Sequence, residues 1–288
     1  MKNNHFKNYL IIGVMLLCVS GSLIAQGPWL RQPKGGYVQL GANVIGPYGQ
    51  IFAGNADFLD LNRAITDRTF NLYAEYGISK KLTLIANIPF KSLKAAETLK
   101  TDSDFSNNVL PSGNTLGIGN YGLTAKFGLI KNKLAGLIKI EAPVEIDAVS
   151  GLNTGYDAIT VTPSLSVGGS MGWVYGYLNT GYAYRNNNYN SDLVMNGEIG
   201  FRMAKKRFFL IGVLDIRQNL TEGIVTNSAL QTGLYTANQE FVSVGIKGLF
   251  KFDDHFGAVL YFFGAPSGQN VAASPSIGGS VFYEWGNK

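Results

Sequence analysis

Residues 69–90 read Thr69-Phe-Asn-Leu-Tyr-Ala-Glu-Tyr-Gly-Ile-Ser-Lys-Lys-Leu-Thr-Leu-Ile-Ala-Asn-Ile-Pro-Phe90. Phe70, Leu72, Ala74 and Tyr76 take every second place. After the turn Ser79-Lys80-Lys81 the chain returns through Leu82, Leu84, Ala86, Ile88 and Phe90 in the same rhythm. Thr69, Asn71, Tyr73 and Glu75 fall between the first set, and Thr83, Ile85, Asn87 and Pro89 between the second. Successive side chains of a strand point to opposite faces, so the pattern predicts a hairpin with one apolar and one mixed face. Turned to water, that apolar face and its counterparts along the chain would exceed what a soluble monomer leaves uncovered. Turned to lipid, it is correctly solvated. A soluble two-sheet sandwich also alternates, but it does not call for strands of about 9–11 residues, the length that crosses a bilayer at a tilt.

The rhythm recurs to the C-terminus. Strands are expected near 35–45, 66–77, 82–91, 117–129, 134–144, 157–168, 173–184, 193–203, 208–220, 238–250, 256–265 and 275–286, twelve in all. Short connections fall at Ile78 to Lys81, Ile130 to Lys133, Gly169 to Gly172, Ala204 to Arg207 and Lys251 to His255. Long ones lie between, including Lys91 to Leu116 and Thr221 to Ala237. In lipid every strand edge needs a partner, which forces closure. The fold class expected is therefore all-β: a single antiparallel up-and-down transmembrane β-barrel of about 12 strands, with short periplasmic turns, long extracellular loops and both termini periplasmic. Phe90, Tyr121, Phe127, Phe201, Phe208, Phe250, Phe256, Tyr283 and Trp285 fall where strands should cross the interfaces, a depth that suits aromatic rings. In 173–184, Trp173, Tyr175 and Tyr177 alternate with Val174 and Leu178, so the two faces of that strand are not separated by sequence.

Residues 1–25 read as a signal peptide: Lys2 and Lys7 make a basic start, Tyr9 to Val19 an apolar run, and Leu23-Ile24-Ala25 a cleavage site. The run is too short to span as a helix. Cys18 does not fit a lipoprotein signal, whose cysteine follows a small residue, because Leu17 precedes it. The expected organisation is 1–25 signal peptide, 26–36 a periplasmic or plug segment carrying Pro28, Trp29 and Pro33, and 37–288 the barrel, placed in a bacterial outer membrane. Removing the signal removes the chain's one cysteine, and with it disulfide and thiolate–metal chemistry.

Charged residues make up 15% of the chain, below the roughly 25% of soluble domains, while aromatics reach 12% and glycines number 36. A membrane-embedded sheet accounts for all three. The formal charge of +5 loses the two lysines of the signal, too small a balance to argue for nucleic acid as a partner. No later apolar stretch reaches the eighteen or so residues of a membrane helix, so spanning falls to strands.

Three segments resemble the outer-membrane family labelled after the meta-pathway of phenol degradation, transporters of hydrophobic or aromatic compounds. They are Tyr73 to Phe90, then Gly117-Ile-Gly-Asn-Tyr-Gly-Leu-Thr-Ala-Lys-Phe127, then Lys139-Ile-Glu-Ala-Pro-Val144. The family pattern is a tyrosine-glycine hairpin ending in proline and an aromatic, a glycine-rich strand ending in lysine and an aromatic, and a strand closing at proline. The acidic residue that often follows the paired glycines is Asn120 here, and the usual glycine after the closing proline is Val144. The resemblance covers about a third of the chain and implies a barrel more firmly than it implies a substrate.

Catalytic and cofactor motifs are weak. Gly117 to Gly122 spells G-x-G-x-x-G, but dinucleotide binding needs a helix to follow, and here a strand continues through Leu123, Ala125 and Phe127. Glycines so placed serve close backbone approach or a bend. A lipid hydrolase would need a base beside its nucleophile. The one histidine beyond the signal, His255, falls in a short turn beside Asp253 and Asp254, so no enzyme is expected. Asp102 with Asp104, and Glu141 with Glu145, are acidic pairs without a calcium loop and read as solvated charge. No cofactor or metal is expected.

The informative charges lie opposite the apolar face. Glu75, Lys126, Lys139, Glu141, Glu198, Arg202, Asp215, Arg217 and Lys247 point inward by alternation and are the lumen-lining candidates. Leu134, Ile138, Ile140, Ile199, Leu210, Leu214, Ile216, Val244 and Ile246 point to lipid. A lipid-facing Arg or Lys at mid-depth costs about 2–4 kcal/mol, which makes parity decisive. Both signs of charge line the lumen. The expected function is passive passage of small solutes, hydrophobic or aromatic compounds among the candidates, with the outer-membrane lipid as surroundings. The alternative is a non-transporting barrel whose extracellular loops bind a partner or surface ligand. Oligomeric state is open.

Overall fold

The computed structural model describes residues 27–54, 56–97, 112–145, 151–203, 207–225 and 232–286. The expected signal peptide at 1–25, Gln26 and the acidic pair Asp102 and Asp104 lie outside them, as does most of the turn from Ala204 to Arg207.

The strands are β1 (Gly36–Gly54), β2 (Asp57–Ser79), β3 (Leu82–Ala95), β4 (Gly113–Ile118), β5 (Gly122–Ile130), β6 (Leu134–Glu141), β7 (Thr160–Met171), β8 (Val174–Arg185), β9 (Asp192–Met203), β10 (Phe208–Asn219), β11 (Glu240–Lys251), β12 (Phe256–Ala272) and β13 (Ser276–Trp285). Apart from β4 and β5, each pairs antiparallel with its sequence neighbours. β1 bonds to both β2 and β13, and β2 bonds to β3, so the sheet closes on itself. β4 and β5 both pair with β3, at opposite ends, and together make one wall strand interrupted at 119–121. Twelve wall strands result.

The break is a correction to the single strand expected over 117–129, and its cause is Asn120. The Asn120 side-chain amide donates to the carbonyls of Ala142 and Tyr156, 2.8 Å each, and its Oδ1 accepts from the Tyr156 amide at 2.6 Å. The residue serves a neighbouring loop instead of the ladder. A second correction concerns strand length. β1, β2 and β12 run well past the ends expected at 45, 66 and 265, and Gly54 of β1 pairs with Asp57 of β2. The expected end at 45 lies just before Gly46-Pro47, and proline removes a ladder donor. The chain instead shifts register between Ile45 and Tyr48 and then continues. Gly46 has φ 91°, and a Cβ there would stand 2.6 Å from the Ile65 carbonyl oxygen, so the shift needs glycine.

Outward, Leu40 (59% exposed), Ile246 (59%) and Leu260 (64%) belong to a continuous apolar band in which Ile138, Ile140, Ile199, Leu210, Leu214 and Val244 are also exposed. That band is solvated by hydrocarbon. Rings gather at the rim where β1 begins and β13 ends: Phe208 with Phe250 at 4.7 Å, Phe256 with Tyr283 at 4.7 Å, and Trp173 with Phe201 at 5.6 Å. β8 resolves the faces left unseparated by sequence: Tyr175 and Tyr177 are buried inside, while Leu178, Tyr182 and Tyr184 are exposed outside. We call the rim where β1 begins and β13 ends inner and the other outer.

Candidate functional site

At the inner end, residues 27–35 cross the barrel interior before the chain joins β1. The Arg31 guanidinium bridges two walls, with Nε 2.6 Å from Glu75 and a terminal nitrogen 3.3 Å from Glu284, and it sits 4.8 Å from the Tyr37 ring. Its backbone amide donates to Thr83 Oγ1 at 2.9 Å. The fully buried Lys126 ammonium donates to the carbonyls of Gly27 and Trp29, 3.2 Å each. Trp29 lays its edge on Tyr175 and Tyr177, with centroids 6.0 and 6.1 Å away. Lys251 also binds Glu284. A buried charge is tolerable only with its partner in place, and here partner and segment are the same object. Tyr37, Tyr175, Phe209, Ile211, Leu249, Val259 and Phe282 form the apolar core around it.

At the outer end two loops turn inward. Leu152 and Leu234 pack with Tyr48, Ile51, Leu61, Ile65, Leu93 and Ala95 in a second core. Tyr156 is the hub. Its hydroxyl donates to Gln239 Oε1 at 2.6 Å and accepts from Arg217 at 2.7 Å. The Arg185 guanidinium lies 4.5 Å from its ring, and Tyr189 and Tyr235 meet it edge-on at 5.3 and 5.2 Å. Arg185 and Arg217 share the buried Asp192 at 2.7 and 3.5 Å. Asn120 fastens this loop to the wall. Gly119 permits the approach, since a Cβ there would stand 2.8 Å from the Thr154 carbonyl oxygen. The G-x-G-x-x-G stretch thus serves close packing of a loop on the wall.

Between the closures lies a chamber of about 660 Å³. Of the nine lumen-lining candidates, Lys139, Glu141, Glu198, Asp215, Arg217 and Lys247 line it. Lys139 pairs with Glu141 at 3.0 Å and Lys247 with Glu198 at 2.5 Å, while Asp215 is exposed to the chamber. Glu75 and Lys126 also point inward but are covered by the inner segment, and Arg202 faces the Tyr175 ring at 5.8 Å. These three do not line the chamber.

Several interior groups were missed. Asp67 and Lys91, paired at 2.6 Å, share the inward parity of Glu75, and Glu284 shares that of Phe282, so alternation could have found them. Arg31 and Tyr156 lie in segments without periodicity and carry no such signal. His255 sits at the inner rim with Nδ1 2.9 Å from the Glu284 carbonyl oxygen, an ordinary turn contact. Among the described residues no cluster of potential metal ligands occurs.

Neither a protein-family profile nor a curated protein sequence matches this chain. Solved structures do. An outer membrane channel from Pseudomonas putida F1 superposes with a TM-score of 0.65 at 16% identity, over 91% of this chain and 100% of that one. The two share a closed antiparallel β-barrel fold. The P. putida toluene transporter TodX is also similar, with a TM-score of 0.50 at 10% identity over 88% of this chain and 90% of that one. At such identities the likeness is one of fold, the closed antiparallel barrel with its lumen.

Proposed function

We propose that this chain is an outer-membrane channel for passive entry of small solutes, exported by a signal at 1–25, with the inner rim periplasmic. The observation that carries the reading is the chamber: a water-accessible space of about 660 Å³ inside a lipid-matched barrel, lined by charges of both signs. Eight strands leave room only for side chains and sixteen an open aqueous channel, so twelve suit a restricted passage. Residues 27–35 act as the inner plug and the Tyr156 loops as the outer gate, and passage requires both to yield. Six of the lining charges, Lys139, Glu141, Glu198, Asp215, Arg217 and Lys247, set selectivity near mid-depth.

The resemblance to the phenol meta-pathway family implies hydrophobic or aromatic cargo, whereas the polar lining favours another class. A loop-mediated partner role gains little support from the outer loops, because Leu152, Tyr156 and Leu234 of those loops are buried inside the barrel. The test is conductance or solute uptake in liposomes containing the purified protein. Folded protein in an impermeable bilayer rejects the reading.

A further inference from the structure

The chamber wall carries two polar rows. On one side Gln39 lies opposite Tyr73, and Tyr73 opposite Asn87, across three neighbouring strands. On the other, Asn179 lies opposite Asn196, and Asn196 opposite Asp215. The first row is pre-oriented: Asn71 donates to Asn87 Oδ1 at 2.9 Å, and the Tyr37 hydroxyl donates to Gln39 Oε1 at 2.7 Å. Each carboxamide presents donors and an acceptor on one rigid plane. Beside them on β12, Tyr261 and Phe263 stand with centroids 5.5 Å apart, and both face the chamber. Flat apolar faces therefore adjoin amide groups. The ion pairs Lys139 with Glu141 and Lys247 with Glu198 compensate the charge, so the wall does not select one sign of ion.

We propose that the chamber binds and passes a neutral polyhydroxylated solute, a monosaccharide or sugar alcohol, an assignment that rests on the channel reading above. Hydroxyl groups both donate and accept, so they replace the water that leaves the carboxamides. The C–H faces of such a molecule lie against the rings. An aromatic hydrocarbon offers the rings a partner but strips the amides of water and returns nothing, which a site built for hydrogen bonding rejects. The chamber volume is within the range of small-molecule sites and leaves room for retained water.

The experiment uses the full chain in liposomes and measures KCl conductance together with swelling in isotonic glucose, mannitol and phenylalanine. The last is a net-neutral aromatic solute of similar size. Glucose and mannitol are expected to enter about tenfold faster than phenylalanine, the discrimination that one matched hydrogen bond supplies. Asn179→Leu combined with Asn196→Leu lowers the glucose-to-phenylalanine ratio by about the same factor, and Asn179→Ser with Asn196→Ser restores part of it. Equal entry of phenylalanine and glucose through a conducting channel overturns the polyol assignment alone. So does an unchanged ratio in the leucine pair. Folded protein that passes neither KCl nor solute rejects the channel reading, and the assignment falls with it.

Discussion

The two closures of this barrel are built from different chemistry. The inner one is a single covalent lead-in, residues 27–35, pinned by ion pairs: Arg31 between Glu75 and Glu284, with Lys126 on two carbonyls. The outer one is made of two loops whose Tyr156 meets aromatic edges, a hydrogen bond to Gln239 and the guanidinium groups of Arg185 and Arg217 held on the wall by Asp192. The inner contacts are few and each is strong only while paired, because burial penalises any charge left alone. The outer contacts are many and individually modest. Removing one inner partner should therefore release its segment as a unit, whereas removing one outer contact should loosen the gate by degrees.

The largest effect is expected from Arg31→Ala. It leaves Glu75 and Glu284 buried without that cation and should weaken docking of the segment by about 3–5 kcal/mol. Protease cleavage within 27–35 and a rise in conductance, with the barrel still folded, would report it. An unchanged digestion pattern would remove the charge-pinned account of the inner closure. Asn120→Asp comes next. A carboxylate there cannot donate to the Ala142 and Tyr156 carbonyls, so the outer loop should lose about 2 kcal/mol of attachment, read as faster hydrogen exchange at 151–158. Equal exchange in both proteins would mean that the Asn120 contacts do not hold the gate.

Tyr156→Phe keeps the ring and its aromatic neighbours and removes one hydroxyl. A loss of about 1 kcal/mol is expected, since Arg217 retains Asp192 and only Gln239 loses its donor. More frequent opening in single-channel records, without a change of full conductance, is the measurement. A full collapse of the closed state would show that the outer gate also hangs on one contact.

The smallest effect lies at the inner rim. The amides of Phe256 and, next, His255 donate to Asp253 at 2.6 Å each and hold its carboxyl below the ordinary range. A lowered folded pKa means stability present above the unfolded value of about 4 and lost as pH falls through the folded one. The melting-temperature advantage of wild type over Asp253→Ala should thus be small above that pH and vanish below it. An advantage that grows on acidification would contradict the assignment.

Much of this was readable beforehand. Alternation at 70–76 and 82–90 sent Leu72 and Ile88 outward and Glu75 inward without any knowledge of the lumen, because a strand's period of two admits only two solutions and lipid forbids one. The same rule covered Asp67, Lys91 and Glu284, which fall inside the expected strands 66–77, 82–91 and 275–286 although they are not among the nine inward charges named from sequence. It failed at Asn120, where a side chain competes with the ladder, and at Gly46-Pro47, where a local breaker is overridden by pairing of 48–54 with 57–65.

The amino-acid sequence by itself determined the barrel, its strand order and which charges face inward, since each follows from local periodicity and the solvation of backbone groups in lipid. Only the tertiary structure decided that Glu75 and Lys126 bind residues 27–31 inside the barrel while Lys139 and Lys247 line a chamber. All four face inward by alternation, and what separates them is whether residues 27–31 come to lie against them. Contacts between residues far apart in the chain leave no period to read.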